Sequence, residues 1–259
     1  MDTPISAPSF ATGLLIGMFV FLEIGRQIGK RRKAKAPAED QEGLSSVQGA
    51  IFALFGLLVA FTFSGAASRF DSRRELINEE ANAIGTAYLR LDLLPFGSQP
   101  PLRESFRKYV DSRLEVYRRL PNIAQEKQAV ADSANIQHEI WMGAIVATRL
   151  PDSHPDAAKL LLPALNQMID ITATRAMASR IHPPMVIFYL LFVLGLCCSL
   201  MAGYGMAGDG RRNWLHIIGF VVIVAAAIYT ILDIEYPRRG LIQVTAYDQV
   251  LVELRNSMK

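Results

Sequence analysis

The chain has 259 residues, of which 51% are hydrophobic and 20% charged, with a net charge of +3, a pI near 8.9 and a mean hydropathy of +0.22. Those averages would suit a mildly apolar soluble protein, but the charges are unevenly placed. Residues 47–68, 185–208 and 213–232 contain no Asp, Glu, Lys or Arg, and since a membrane span needs about 20 mostly apolar residues, an ordinary soluble enzyme is excluded.

In chain order, residues 1–8 carry Asp2 and no positive charge, and no small-x-small cleavage site precedes a polar mature sequence. The first span, 9–28, is therefore expected to be a retained helix rather than a cleaved signal. Its only charges, Glu23 and Arg26, lie near its end at i, i+3 spacing and are expected to pair. Lys30, Arg31, Arg32, Lys33 and Lys35 follow at once. A basic run just past a membrane helix reads as a topology signal.

The second span, 47–67, has no stop signal at its end. Leu76, Ile77, Ala81, Ile84, Ala87, Tyr88 and Leu91 continue with helical period, which predicts one long helix that leaves the membrane near Ser68 and stops at Pro95. A loop rich in Pro, Gly and Ser, 96–101, precedes a helix over 102–120 with Phe106, Tyr109, Val110, Leu114 and Tyr117 on one side, ended by Pro121. Further helices are predicted over 122–150, closing at Pro151, and over 156–181, running into the third span across His182, Pro183 and Pro184. Spans over 185–207 and 213–232 complete two pairs. The tail is expected to turn at 236–240, to be extended over 241–245 and to form a short helix over 247–256.

The expected fold is all-α: four transmembrane helices in two pairs with a helical domain inserted between them. The expected divisions are a first transmembrane pair, 1–67, with a basic loop at 29–46; an extramembrane helical domain, 68–184; a second pair, 185–232; and a C-terminal tail, 233–259. Orientation follows from the short loops. The loop at 29–46 holds five basic residues and the loop at 207–212 adds Arg211 and Arg212, against none in the first eight positions. This places both loops in the cytoplasm, with the helical domain and the C-terminus outside.

Motifs for chemistry are sparse. GYGMAG, residues 203–208, matches the dinucleotide pattern in letters, but that pattern needs a strand before it and a helix start after it, and here it ends a membrane helix. His138, His154, His182 and His216 are dispersed without an i, i+4 metal pair. Cys197 and Cys198 are adjacent within a span and read as packing residues. The basic residues form no stripe with interleaved aromatics, so no nucleic-acid partner is expected; nor are a cofactor, a metal or catalysis.

The informative stretch is the end of the second span. It is apolar at Leu57, Leu58, Val59 and Phe61, small and hydroxylated at Ser64, Gly65 and Ser68, then charged from Arg69 onward. Such a helix suits a water-filled passage, where apolar constrictions gate and charged rings select. It equally suits close packing through small residues followed by a solvated helix with i, i+3 pairs such as Asp71 with Arg74.

The run LLVAFTFSGAASRFDSRRELINEEANAIGTAYLRLD, residues 57–92, resembles the bestrophin-like family of bacterial membrane proteins and, more distantly, bestrophin itself. The second bestrophin helix carries a Phe eight residues before an Arg-aromatic pair, here Phe61, Arg69 and Phe70. The resemblance implies a pentameric ion channel in the bacterial plasma (inner) membrane, passing small inorganic ions, with second helices around the pore. Its apolar neck would fall on Leu57 and Phe61, with Ala53 one turn before and Ser64 and Ser68 beyond. Ala53 departs from the bulky neck pattern, and Asp71 stands where the family has a second aromatic. Bestrophins also keep the soluble region in the cytoplasm, whereas the charge count puts it outside. In the same register, copies of Glu75 or Glu79 would form a negative ring favouring cations; alternatively, Glu79 and Glu80 would pair with Arg73 or Arg74 of neighbouring helices. The other functional reading is a non-conducting membrane assembly or sensor whose helical domain binds a partner.

Overall fold

The computed structural model describes residues 6–33, 41–118, 123–208, 213–236, 240–242 and 248–258. It is helical throughout these residues: α1 (Ala7–Lys33), α2 (Gln41–Leu89), α3 (Gln99–Arg118), α4 (Ile123–Thr148), α5 (Ala157–Ala178), α6 (Met185–Gly205), α7 (Trp214–Glu235) and α8 (Gln249–Ser257), with 3-10 turns at Arg90–Leu93 and Met206–Gly208. No strand occurs among the described residues. GYGMAG accordingly closes a helix and its 3-10 turn, which removes the strand a dinucleotide site requires.

Prolines set most helix boundaries. Pro100 and Pro101 fall in the first turn of α3, where a missing N–H costs nothing, so that helix begins earlier than the loop reading allowed. α5 stops at Ala178, and Pro183 and Pro184 keep the next residues out of helix until Met185. The expected stop at Pro121 and most of the expected turn at 236–240 lie outside the described residues, as do 243–247 of the expected extended segment and short helix. Lys35, Arg211, Arg212 and the side chain of Lys33 lie outside them as well.

The chain divides into two units, and the division falls inside α2, between Ser68 and Arg69. The first unit holds α1, the start of α2, α6 and α7. Four helices, α1, α2, α6 and α7, are long and apolar enough to cross a membrane. The unit's core contains Leu14, Met18, Leu22, Phe55, Phe188, Leu191, Val221 and Ile228. Outside that core, Ile16, Val20 and Ile24 of α1, Val186 and Val193 of α6 and Val222 and Ile223 of α7 are exposed. A surface this apolar is unfavourable in water and matches lipid.

α1 and α6 touch backbone to backbone. A Cβ added at Gly25 would lie 1.9 Å from the Leu200 carbonyl oxygen, and one at Gly203 would lie 1.9 Å from the Leu22 oxygen. One turn beyond Gly25, Gly29 faces the Tyr204 oxygen at 2.7 Å in the same sense. Gly25 and Gly29 thus form a GxxxG contact, the packing that replaces hydrophobic driving force between helices in lipid.

The second unit holds residues 69–181 together with the C-terminal segment that contains α8. Its core is built by Ile84 and Leu91, Phe106, Tyr109 and Val110 of α3, Ile140 and Ala144 of α4, and Leu161, Leu165 and Met168 of α5. Leu251 of α8 and Met258 are buried in this same core, so the end of the chain is part of the unit's packing.

Candidate functional site

α2 is the element on which the sequence places function, and its exposure is one-sided. Within the first unit Ala53, Leu57, Phe61, Ser64 and Ser68 are exposed, Leu57 at 52% and Phe61 at 67%, while Phe55 and Ala66 are buried. Within the second unit Ser72, Glu75 and Glu79 are exposed and Ile77, Glu80, Ala81 and Ile84 are buried. At 3.6 residues per turn these eight positions fall within an arc of about 100° on the helix, and Gly56, Ala60 and Phe63, outside that arc, are exposed as well. These positions lie opposite the buried Phe55, Ala66, Ile77 and Ile84.

The polar residues around this stretch are anchored within the second unit. Arg73 donates from Nε to the Ala178 carbonyl at 3.2 Å and from Nη2 to the Ile181 carbonyl at 2.9 Å. Arg74 donates to Asp71 at 3.2 Å, the i, i+3 pair that the spacing indicates. Glu79 lines a shallow cavity of about 340 Å³ with Asn82, Ala83, Gln167 and Ile171.

Glu80 corrects an expectation. Instead of pairing with Arg73 or Arg74 it points into the unit, fully buried, where Arg113 donates from Nε to its Oε1 at 2.6 Å and Arg175 pairs with its Oε2. The reason is rotational: Glu80 lies on the face of α2 that carries Ile77, Ala81 and Ile84. Burial alone would raise its carboxyl pKa, but the charges and hydrogen bonds of Arg113 and Arg175 outweigh that and hold it below the ordinary carboxylate value. Asp248 approaches Arg175 at 3.7 Å, which ties the residue preceding α8 to the same network. Gln137 donates to the buried Tyr109 hydroxyl at 2.9 Å, and burial pushes that phenol well above its usual range.

Two further polar positions have surroundings that the sequence did not indicate. His182 Nδ1 lies 2.9 Å from Oε1 of the buried Glu235, and its ring packs on Tyr236 with centroids 4.5 Å apart. Arg26 is only 5% exposed, and its Nε and Nη1 are buried without a hydrogen-bond partner. The expected pair with Glu23 is therefore not made at either nitrogen. Glu23 is half-buried and Arg26 buried on the α1 face that carries Leu22, Gly25 and Gly29. Among the described residues no group of three or more His, Cys, Asp or Glu could hold a metal ion.

The bestrophin-like domain model matches residues 14–247, which include most of α1 and all of α2–α7. The chain belongs to the bestrophin-like family. As a bestrophin-like protein with four helices suited to span a bilayer, it is a membrane protein related to bestrophin channels. The family match stops just short of α8, whose Leu251 nonetheless sits in the core of the second unit. No curated protein and no solved structure gives a significant match to the chain.

Proposed function

We propose that this bestrophin-like protein is an ion channel of the bacterial plasma membrane, a homopentamer whose pore is lined by α2. The observation that carries the reading is the exposed stripe on α2, whose chemistry changes along the helix from Ala53, Leu57 and Phe61 through Ser64 and Ser68 to Ser72, Glu75 and Glu79. The stripe is apolar where it would form a constriction and carries hydroxyls and then carboxylates beyond it, the succession of surfaces that suits a pore-lining helix. A ring of Leu57 and Phe61 gates by dewetting. Rings of Glu75 and Glu79 concentrate cations at the mouth. The basic run Lys30, Arg31, Arg32, Lys33 and Lys35, with Arg211 and Arg212, keeps the loop ends in the cytoplasm and the helical unit and C-terminus outside.

Reconstitution of the purified protein in liposomes tests this. The wild type is expected to carry cation flux, and Phe61→Ala to raise it several-fold by removing an apolar constriction. Vesicles that stay tight under cation and anion gradients alike, together with a detergent-solubilised mass of one or two chains, would overturn the channel reading, because a pore between protomers needs a closed ring. Such an outcome would favour a non-conducting assembly or sensor. Phe96 at 91% exposure and Leu89 at 69%, both in the second unit, would then be the apolar surface offered to a partner.

A further inference from the structure

Arg26 differs from every other buried cation described above. Arg113 and Arg175 face the Glu80 carboxylate, whereas Arg26 is buried in a membrane helix with Nε and Nη1 unpartnered. A buried lysine or glutamate can relieve such a position by shedding its charge. A guanidinium cannot, because it stays protonated at any accessible pH. An ionisable group in a membrane segment is costly and marks a functional position by default.

Its surroundings indicate what would neutralise it. Gly25 and Gly29 on either side of Arg26 hold α1 against the backbone of α6 at Leu200 and Tyr204, so this part of α1 is fixed in place. Lys30, one turn farther along nearly the same face, is exposed, as are Arg31 and Arg32. Lys30 is about 6 Å along the helix axis from Arg26 at 1.5 Å per residue. This is the basic end of the first span, the side where headgroup phosphates meet a membrane protein's positive charges. The planar guanidinium fork fits phosphate oxygens better than a point charge does.

We propose that Arg26, with Lys30 one turn beyond, forms a binding site for a phosphate group at the α1–α6 contact, filled by the headgroup of an anionic phospholipid or by free phosphate. The bound anion neutralises a charge that the protein itself leaves unmet at Nε and Nη1, and it joins α1 to the membrane surface. The site lies within the first unit and is independent of whether α2 lines a pore.

Native mass spectrometry of the full chain in detergent, with phosphatidylglycerol or phosphatidylcholine added, tests this directly. Wild-type protein is expected to retain phosphatidylglycerol in preference to phosphatidylcholine. Arg26→Gln should weaken that retention about tenfold or more, as expected for lost charged hydrogen bonds. Lys30→Gln should weaken it about fivefold, the effect of one surface cation, and Arg32→Gln, on another face of α1, should leave it unchanged. Millimolar inorganic phosphate that displaces the lipid, or binds in its place, assigns the site to the free anion. Retention unaffected by phosphate assigns it to the headgroup, and either result upholds the phosphate site. Equal retention of the two lipids with no binding of inorganic phosphate overturns it, as does wild-type retention in Arg26→Gln. Should Arg26→Gln fail to fold, the contrast between Lys30→Gln and Arg32→Gln decides, and no difference between those two overturns the site.

Discussion

In the first unit α2 buries Phe55 and Ala66 and leaves Leu57 and Phe61 exposed, whereas in the second unit the same helix buries Ile77, Ala81 and Ile84 and leaves Ser72, Glu75 and Glu79 exposed. The buried side is apolar in both units apart from Glu80; the exposed side changes with the surroundings it must meet. Cohesion differs too. The first unit is joined at α1 and α6 by glycine-mediated backbone contact, which suits lipid, where apolar burial between helices gains little. The second unit combines a conventional apolar core with one buried charge cluster, which suits water.

The comparison is tested hardest at Glu80. Glu80→Ala leaves Arg113 and Arg175 buried around a missing carboxylate and should cost the second unit about 3–5 kcal/mol, as for other broken buried pairs. The denaturant midpoint, followed by the fluorescence of Trp141 in a Trp214→Phe background, measures it. The same network sets an acid limit. Glu80 is held below its ordinary value of 4.5, so the unfolded chain takes up the proton first as pH falls. The stabilisation is therefore complete above about 4.5 and is lost as pH drops from there through the lower folded value. Glu80→Ala should flatten that part of the pH profile.

A smaller effect is expected in the first unit. Gly25→Val places side-chain atoms against the Leu200 carbonyl and must push α1 from α6, costing about 1–3 kcal/mol as overpacking usually does. Faster proteolysis of the first unit, with the Trp141 transition unchanged, would show that the two units are held by separate contacts; a coupled loss would break the contrast. The smallest change should come from Asp71→Ala, since the pair with Arg74 is solvent-exposed and worth under about 0.5 kcal/mol. A larger shift in the denaturant midpoint would mean that this part of α2 is not bathed in water.

Much of this architecture is legible without coordinates. Uncharged stretches mark the spans, the unbroken period from Leu76 to Leu91 carries α2 far beyond the second span, and prolines punctuate the helices that follow. Glu80 could also have been separated from Glu79, since it falls between Ile77 and Ile84 on the apolar face. Its partners could not have been named. Arg113 and Arg175 lie 33 and 95 residues away in the chain, and nothing in local spacing distinguishes them from other arginines on amphipathic helices. Nor does local spacing show that Arg26 is buried with two nitrogens that find no hydrogen-bond partner.

By itself, then, the sequence determined what depends on the solvent and on the local backbone: which segments can enter lipid, where helices start and stop, and which face of α2 is apolar. Only the tertiary structure decided which charges far apart in the chain meet, that α8 closes the core of the second unit, and that Gly25 and Gly203 bring two backbones together. Solvation and helix period are properties of neighbouring residues and can be read along the chain. Ion pairing and close packing depend on side chains far apart in sequence and exist only once the helices are in place.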